Sequence, residues 1–565
     1  MSRDACALGL DFGTNSCRAV VVDLASGVEL GEHVAFYPSG DSGIVYSAAN
    51  PLVARQQPAD YRYALEAATV GALDAAEAAR RGFTRTAIAG IGVATTGSTP
   101  LPLDAGARPL SDSPAFSDDI DAFAWLWKDH SALAEAEEIT SMARALRPSY
   151  LSACGGVYSA EWFWAKVLHC FRTAPAVFAA AETWVELCDF IPAVLIGVDD
   201  ASEVPRSLCA AGHKAMYSQR WGGLPDAEFL AALEPELTRL RERLYTTALE
   251  AGTPAGGLGR EWSDRTGLPI GTTVAIGSFD AHAAALAAGV AEGVLVKVMG
   301  TSTCDVTVRP LPFLLDELPG VCGVVPGSVA PGTVGIEAGQ SGVGDAFRWF
   351  AERFAPAEDG ATPDERIATL SARAAALGPG ENGLIALDWL NGNRSILVDH
   401  RLSGLIVGLN LDTKPHHILA ALVEATAFGA RRIVDRLEEY GVHIDQVVAT
   451  GGLPHRNPSL VQTYADVLGL PIRVTASSQC SALGAALLGA LAAGVYDSVE
   501  AGQDRLVRFA DVEYRPLEHA GQVYDQLYKI FGRLHDAFGG VDPDSGLANV
   551  MHELLQLRLG RTLVR

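Results

Sequence analysis

Two short hydroxyl-rich turns, each set between apolar strand-like runs, constrain this chain more than any other feature. The first is Asp11-Phe12-Gly13-Thr14-Asn15-Ser16-Cys17-Arg18, between the apolar run 5–11 and the β-branched run 17–23. The second is Gly300-Thr301-Ser302-Thr303, between the runs 295–299 and 304–308. Glycine in such a turn lets the backbone approach a ligand, and consecutive amides with Thr and Ser hydroxyls suit an anion such as phosphate. Asp11 closes its strand as a hard oxygen donor of the kind Mg2+ prefers, and Arg18 adds positive charge.

The sequence around each turn reads as the same kind of unit. Strands at 5–11, 17–23 and 29–37 are followed by a helix at 60–81 and a buried strand at 88–94. Strand-strand-strand-helix-strand is how an actin-like domain opens. Helices rich in Ala, Trp and Leu are expected at 130–146 and 159–170. From residue 295 the pattern starts again. A helix at 415–440 carries Ile418, Leu422, Phe428, Ile433 and Leu437 on one face; Thr413 and Pro415 open it and Gly441 ends it. Strands at 446–449 and 472–475 alternate with helices at 457–468 and 480–493, and a last helix is expected at 518–538. The expected units are 1–290 and 291–540, divided in Ala-Gly-rich sequence at 288–293, with a tail at 541–565.

The length supports this duplication, because 565 residues exceed what one hydrophobic core usually holds. With 49% hydrophobic and 19% charged residues, the chain reads as a packed globular enzyme. A formal charge of -24 disfavours nucleic acid and anionic membranes as partners. The longest apolar run, 482–496, is shorter than the roughly 18–20 residues of a membrane span. Asp4 and Asp11 break any leader-like apolar stretch. The nine cysteines show no C-x-x-C pair and no His set at metal-ligand spacing, so reduced thiols in a cytoplasmic protein are expected.

A third turn, Thr450-Gly451-Gly452-Leu453-Pro454, follows a strand and runs toward a helix beginning around Asn457, where it can face a nucleoside or a phosphate. No G-x-x-x-x-G-K-[ST] is present, which excludes a P-loop, and no G-x-G-x-x-G follows the first strand. Each turn alone reads equally as a structural glycine turn. Their joint placement is more specific. It resembles the FGGY carbohydrate kinases over nearly the whole chain, and most of all the ribulokinase branch of that family. The strings that carry the likeness include Gly97-Ser98-Thr99-Pro100, Leu126-Trp127-Lys128-Asp129-His130 and Tyr158-Ser159-Ala160-Glu161-Trp162-Phe163-Trp164-Ala165-Lys166. Ala211-Gly212-His213-Lys214, Glu337-Ala338-Gly339-Gln340-Ser341 and Leu387-Asp388-Trp389-Leu390-Asn391-Gly392 add to it.

The resemblance implies an α/β chain of two actin-like (ribonuclease H-like) domains with a nucleotide cleft between them, using ATP and Mg2+. It implies that Asp280, in Gly277-Ser278-Phe279-Asp280-Ala281-His282, is the base that takes the sugar hydroxyl proton. By itself Asp280 reads equally as a helix N-cap. Thr96, Gly97, Lys214 and Glu337 correspond to sugar-contacting positions, although a lone Lys or Glu is otherwise a solvated charge. Gly13, Thr14, Asn15, Ser16, Arg18, Gly300, Thr301, Gly344, Gly451, Gly452 and Asn457 correspond to nucleotide contacts, and Asp11 to the metal site.

One position departs from the pattern. Ribulokinases usually carry an aspartate two residues before the position of Thr96, and Ala94 stands there, so the sugar-pocket wall is expected to lack a carboxylate and selectivity to be loose. The tryptophans at 125, 127, 162, 164 and 184 have spacings that fit core packing, with Trp127 the best placed for a sugar. The expected reaction is phosphorylation of a small ketopentose, L-ribulose, as in arabinose catabolism. Another pentulose or polyol kinase, and a non-kinase actin-fold ATPase, stay open, as does a homodimer.

Overall fold

The computed structural model describes residues 5–313 and 318–558. Two seven-stranded sheets dominate it. In the first, Cys6–Phe12, Ser16–Asp23 and Glu29–Phe36 form an antiparallel meander. Ile88–Thr95 then pairs parallel to Cys6–Phe12, and Thr273–Ala275 and Ser278–Phe279 pair parallel to Ile88–Thr95. The second sheet repeats this order. Gly293–Met299, Thr303–Pro310 and Thr333–Gln340 are its meander, while Ile444–Thr450 and Ile472–Thr475 are its parallel additions. A turn that opens a meander therefore lies at the same end of each sheet, beside the C-terminal ends of the parallel strands, where ligands bind in open α/β sheets.

Helices cover the sheets as their periodicity requires. Pro58–Ala79 packs on the first meander and buries Tyr61, Leu65 and Leu73. Pro415–Glu439 buries Leu419, Leu422, Phe428, Ile433 and Leu437. Ile418 is only partly buried, since Leu419 takes the inward position one residue on. The helix expected at 130–146 begins at Leu133, because Asp129 accepts from the Ser131 amide and hydroxyl and the His130 amide is committed to Leu52 O. The helix expected at 159–170 begins at Phe163. In the tail, Val550–Arg558 is a helix that the sequence reading did not resolve; residues 559–565 of that tail lie outside the described residues.

The two halves meet along a seam of small residues. Cys480–Ala492, which follows the second sheet in sequence, lies on the first sheet. A side chain added at Gly9 or Gly92 would put its Cβ 1.8 Å from Ala482 O or 1.7 Å from Ala485 O. Only glycine strands and an Ala/Gly helix permit that approach. Among the described residues, no helix is long and apolar enough to cross a membrane.

Candidate active site

Between the two sheets lies a cavity of about 240 Å³ into which both meander turns project. The turns are built alike. The Gly13 amide donates to Ser16 O (3.0 Å), the Gly300 amide donates to Ser302 O (2.9 Å), and Thr14 and Thr301 line the cavity from opposite sides. Gly344 and Gly451 back the second turn. Their added Cβ atoms would stand 2.5 Å from Gly300 O and 2.5 Å from Met299 O, so backbone passes where no side chain fits. Gly452 opens the short helix Gly452–Arg456, placed directly on the turn and one element earlier than the helix expected near Asn457.

Asp280 is the first residue of the helix Asp280–Ala287, with Phe279 as the capping position, so it is not the N-cap the bland reading assigned to it. The short strand Ser278–Phe279 is in register with Ala94 and Thr95, which carries Asp280 to the end of the first sheet and onto the cavity. One carboxylate oxygen accepts from the Ala281 amide at 2.7 Å. Burial, with the nearby Asp11 charge, pushes its pKa up to about 7; the Ala281 N–H and His282 oppose the shift. A carboxylate poised there is half ionised near neutrality, where a general base works best.

The sugar-reading candidates converge on the same wall. Thr96 is tied to the first strand by its amide, which donates to Phe12 O (3.0 Å), and its hydroxyl shares a hydrogen with Thr99 (3.0 Å). A Cβ at Gly97 would lie 2.1 Å from the Phe279 ring, so glycine is required for the turn to close over it. Lys214 ends the helix Leu208–Lys214 and donates to Glu337 Oε1 at 3.3 Å; Glu337 comes from the second sheet. Burial pushes the Glu337 carboxyl up, but Lys214 and then His282 outweigh it and hold it well below its ordinary range. Glu337 likewise holds Lys214 protonated against burial. The pair spans both halves of the chain.

Asp11 is 4% exposed and does not itself line the cavity. Its Oδ2 accepts from Arg18 Nη1 at 3.1 Å, while its buried Oδ1 has no hydrogen-bond partner among the described residues. Burial raises its pKa in spite of Arg18. Of the other expected contacts, Asn15 donates to Ser42 O (2.6 Å) on the surface and Ser16 is buried in its strand. Asn457 accepts from the Leu460 amide as an N-cap and lines a separate cavity of about 300 Å³. The structure therefore does not bring Asn15, Ser16 and Asn457 to the central cavity, and of the other expected nucleotide contacts Thr14, Gly300 and Thr301 line it while Gly13, Arg18, Gly344, Gly451 and Gly452 do not.

Ala94 requires a correction. It is fully buried against Ala283 and Ala485 and does not line the cavity. In parallel register it stands beside Asp11, so the missing carboxylate belongs next to the candidate cation site and not in the sugar wall. The tryptophans divide as expected except at Trp162, which was read as core. Trp125, Trp164 and Trp184 are core, whereas Trp127 and Trp162 line the cavity. Sequence reasoning missed Glu161 and Arg394, which face the cavity from opposite halves, 3.7 Å apart. Glu161 lay in a string already singled out, but nothing in the sequence pairs it with Arg394.

Residues 295–493 match the model of the FGGY family of carbohydrate kinases, C-terminal domain. The chain is 39% identical over 570 residues to a ribulokinase of Shouchella clausii, covering 98% of this chain and 97% of the relative. It is 39% identical to a ribulokinase of Mycolicibacterium smegmatis, covering 95% and 94% of the two chains. Among solved structures, the xylulose kinase of Rhodospirillum rubrum superposes with a TM-score of 0.75 at 24% identity, covering 95% and 99%. Plasmodium falciparum glycerol kinase with ADP gives 0.73 at 15% identity, covering 94% and 98%. These structures share the two-domain actin-like α/β architecture.

Proposed function

The chain belongs to the FGGY family of carbohydrate kinases, and from that premise we propose that it transfers the γ-phosphoryl group of ATP to the C5 hydroxyl of L-ribulose. The observation that carries the reading is one cavity holding a carboxylate poised near 7, a buried Lys214–Glu337 pair and two facing threonine turns. The ribulokinase names of relatives covering nearly the whole chain favour a pentulose over other carbohydrates.

In this reading the first unit, 1–290, holds the sugar and the base, and the second, 291–540, holds the nucleotide. The pentulose lies against Thr96, Gly97 and the Lys214–Glu337 pair, whose opposite charges offer a donor and an acceptor to adjacent hydroxyls. The phosphates lie between the Thr14 and Thr301 turns, with Gly300 open for backbone contact and Gly344 and Gly451 packing the turn from behind. Asp280 takes the C5 proton as that oxygen bonds to the γ-phosphorus and the bond to the bridging oxygen of ADP breaks. The products are the sugar 5-phosphate, ADP and protonated Asp280. Positioning and charge neutralisation supply most of what phosphoryl transfer needs. The partnerless, buried Oδ1 of Asp11 fits Mg2+, directly or through water, with Arg18 on the other oxygen. When bound, Mg2+ would neutralise phosphate charge. The nine free thiols are consistent with a cytoplasmic setting.

A coupled assay of ADP release across the L- and D-forms of ribulose and xylulose tests the proposal. The expected result is the highest kcat/KM for L-ribulose. Preference for another pentulose by more than about tenfold, the size of one mispaired buried hydroxyl, would rename the substrate. ADP release indifferent to every sugar would replace the kinase reading with a plain ATPase.

A further inference from the structure

Behind the Lys214–Glu337 pair, His213 and His282 meet the same carboxylate from two helices. His282 Nε2 lies 3.1 Å from Glu337 Oε2, and His213 Nδ1 lies 3.5 Å from that oxygen. The three ligand atoms lie within 4.8 Å of one another, and all three residues are buried. Spacing along the sequence gave no such set, because the residues come from three distant segments.

The hydrogen bonds around the imidazoles fix their lone pairs. Ser328 Oγ lies 2.9 Å from Val325 O and 3.0 Å from His213 Nε2, and its single hydrogen can serve one of them; with that hydrogen on Val325 O, it accepts from Nε2. In that tautomer Nε2 of His213 carries the hydrogen and Nδ1 the lone pair, the form a ligating imidazole needs. Among the described residues that nitrogen has no hydrogen-bond partner, and it faces a carboxylate oxygen. Two acceptors directed at each other in a buried site call for a cation between them. On the other side, His282 Nδ1 is held by Cys209 Sγ at 2.9 Å. Each imidazole thus has a partner fixing the nitrogen that does not face Glu337, as ligating histidines do.

We propose that His213 Nδ1, His282 Nε2 and Glu337 Oε2 form a tetrahedral site for a zinc-type divalent cation, whose fourth position opens to the sugar cavity. Two histidines and a carboxylate are a donor set that Zn2+ takes readily. Bonds of ~2.0–2.2 Å at tetrahedral angles set donors about 3.3–3.5 Å apart, which the 3.1 and 3.5 Å separations nearly match. Loading displaces the Nε2 proton of His282 to solvent, and the Nδ1 hydrogen stays donated to the Cys209 sulfur. The Lys214 ammonium, 3.3 Å from the other oxygen of Glu337, opposes the cation and limits its affinity. Occupancy removes Glu337 from the sugar, so the cation is an inhibitor competing with sugar; this consequence rests on the function proposed above, whereas the site itself does not.

The full-length protein, stripped of metal and returned to Mg2+, is titrated with Co2+ and followed by visible absorption. The expected result is one Co2+ per chain with the strong bands of tetrahedral coordination, displaced by Zn2+. His213→Gln removes a ligand and should weaken binding by more than ~100-fold; Cys209→Ala frees the outer nitrogen of His282 and should cost ~10–100-fold. Circular dichroism of the metal-free variants establishes that each is folded, and either folded variant suffices. A weak octahedral spectrum in the wild type, or equal binding by a folded variant, overturns the site. In kinetics, Zn2+ should raise the apparent KM for the sugar and leave that for ATP unchanged. Tetrahedral binding without this competition would refute the inhibition while keeping the site. Because the Co2+ spectrum needs no turnover, it decides the site even if L-ribulose is not the substrate.

Discussion

The two meander turns share a fold position but treat charge in opposite ways. In the first, Arg18 is 43% exposed and Asp11 keeps one buried oxygen without a partner. In the second, the charged residues nearest the turn are sealed. Lys297 donates to both oxygens of Asp305 at 2.7 Å and to Gln340 Oε1 at 3.2 Å, and the pair is essentially inaccessible. Each half also sends a helix to the shared seam, and only Asp280–Ala287 opens with a carboxylate; its counterpart begins at Cys480. Duplication therefore supplied two equivalent frames, of which one leaves charge available to a ligand and the other consumes it in packing. The difference lies in side chains, not in backbone.

The largest expected effect comes from removing the first frame's helix carboxylate. Asp280→Asn keeps the shape and should lower kcat by roughly 10²–10⁴-fold, the usual worth of a general base, with nucleotide binding little changed. In the wild type, kcat/KM should rise with pH and reach half its plateau near 7, since the base must be ionised. Stability should run the other way. The folded pKa is raised above 3.8, so the stabilisation held below that value is lost as pH rises toward about 7. The Asn variant should lack that decline in melting temperature. A variant keeping more than about a tenth of kcat would remove Asp280 from the base role.

Paired substitutions at the two turns test the contrast directly. Asp305→Asn leaves Lys297 buried and uncompensated, which should cost ~3–5 kcal/mol in denaturant unfolding without moving the Mg2+ dependence of the rate. Replacing the pair together, as Lys297→Met with Asp305→Leu, should recover most of that loss. Asp11→Asn should do the reverse, shifting the Mg2+ titration and lowering kcat while leaving the fold as stable or more so. Equal behaviour of the two aspartates would break the comparison.

A smaller effect is expected where the halves cooperate. Lys214→Met leaves Glu337 without its ammonium and should raise KM for the sugar roughly 5–150-fold, the range for ~1–3 kcal/mol of mispairing, with KM for ATP nearly constant. A parallel rise in both constants would make Lys214 a hinge contact and not a sugar contact.

These contrasts mark what the sequence could reveal. The strands, the long helices and both turns were legible because hydrophobic period and glycine placement are local signals. Asp280, Lys214 and Glu337 were found through long strings resembling a family, and the structure brings them to one cavity. The Arg394–Glu161 pair, the His213–His282–Glu337 cluster and the sealed Lys297–Asp305 pair were not legible. They depend on which side chains meet across separate segments, and no periodicity encodes that. Ala94 was noticed but assigned to the wrong wall, because the parallel register that sets it beside Asp11 exists only once the sheet is formed.

The smallest effect concerns how each turn is braced. Among the described residues Thr301 is held by backbone, its carbonyl accepting from the Val343 (2.8 Å) and Asp345 (3.0 Å) amides. Thr14 is braced by a side chain: Trp127 Nε1 donates to its hydroxyl at 3.1 Å, which links the first phosphate turn to an aromatic wall of the sugar cavity. Trp127→Phe keeps most of the ring and removes only that bond, worth about 1 kcal/mol, or roughly fivefold. Because the bond joins the two ligand sites, KM for ATP and for the sugar should rise together by about that factor, with kcat within about twofold of wild type, less than half of one such bond. No comparable single change exists at Thr301, whose brace is main chain. A rise in the sugar constant alone would make Trp127 a sugar platform independent of the turn, and a fall in kcat approaching that of Asp280→Asn would place it in the chemistry itself.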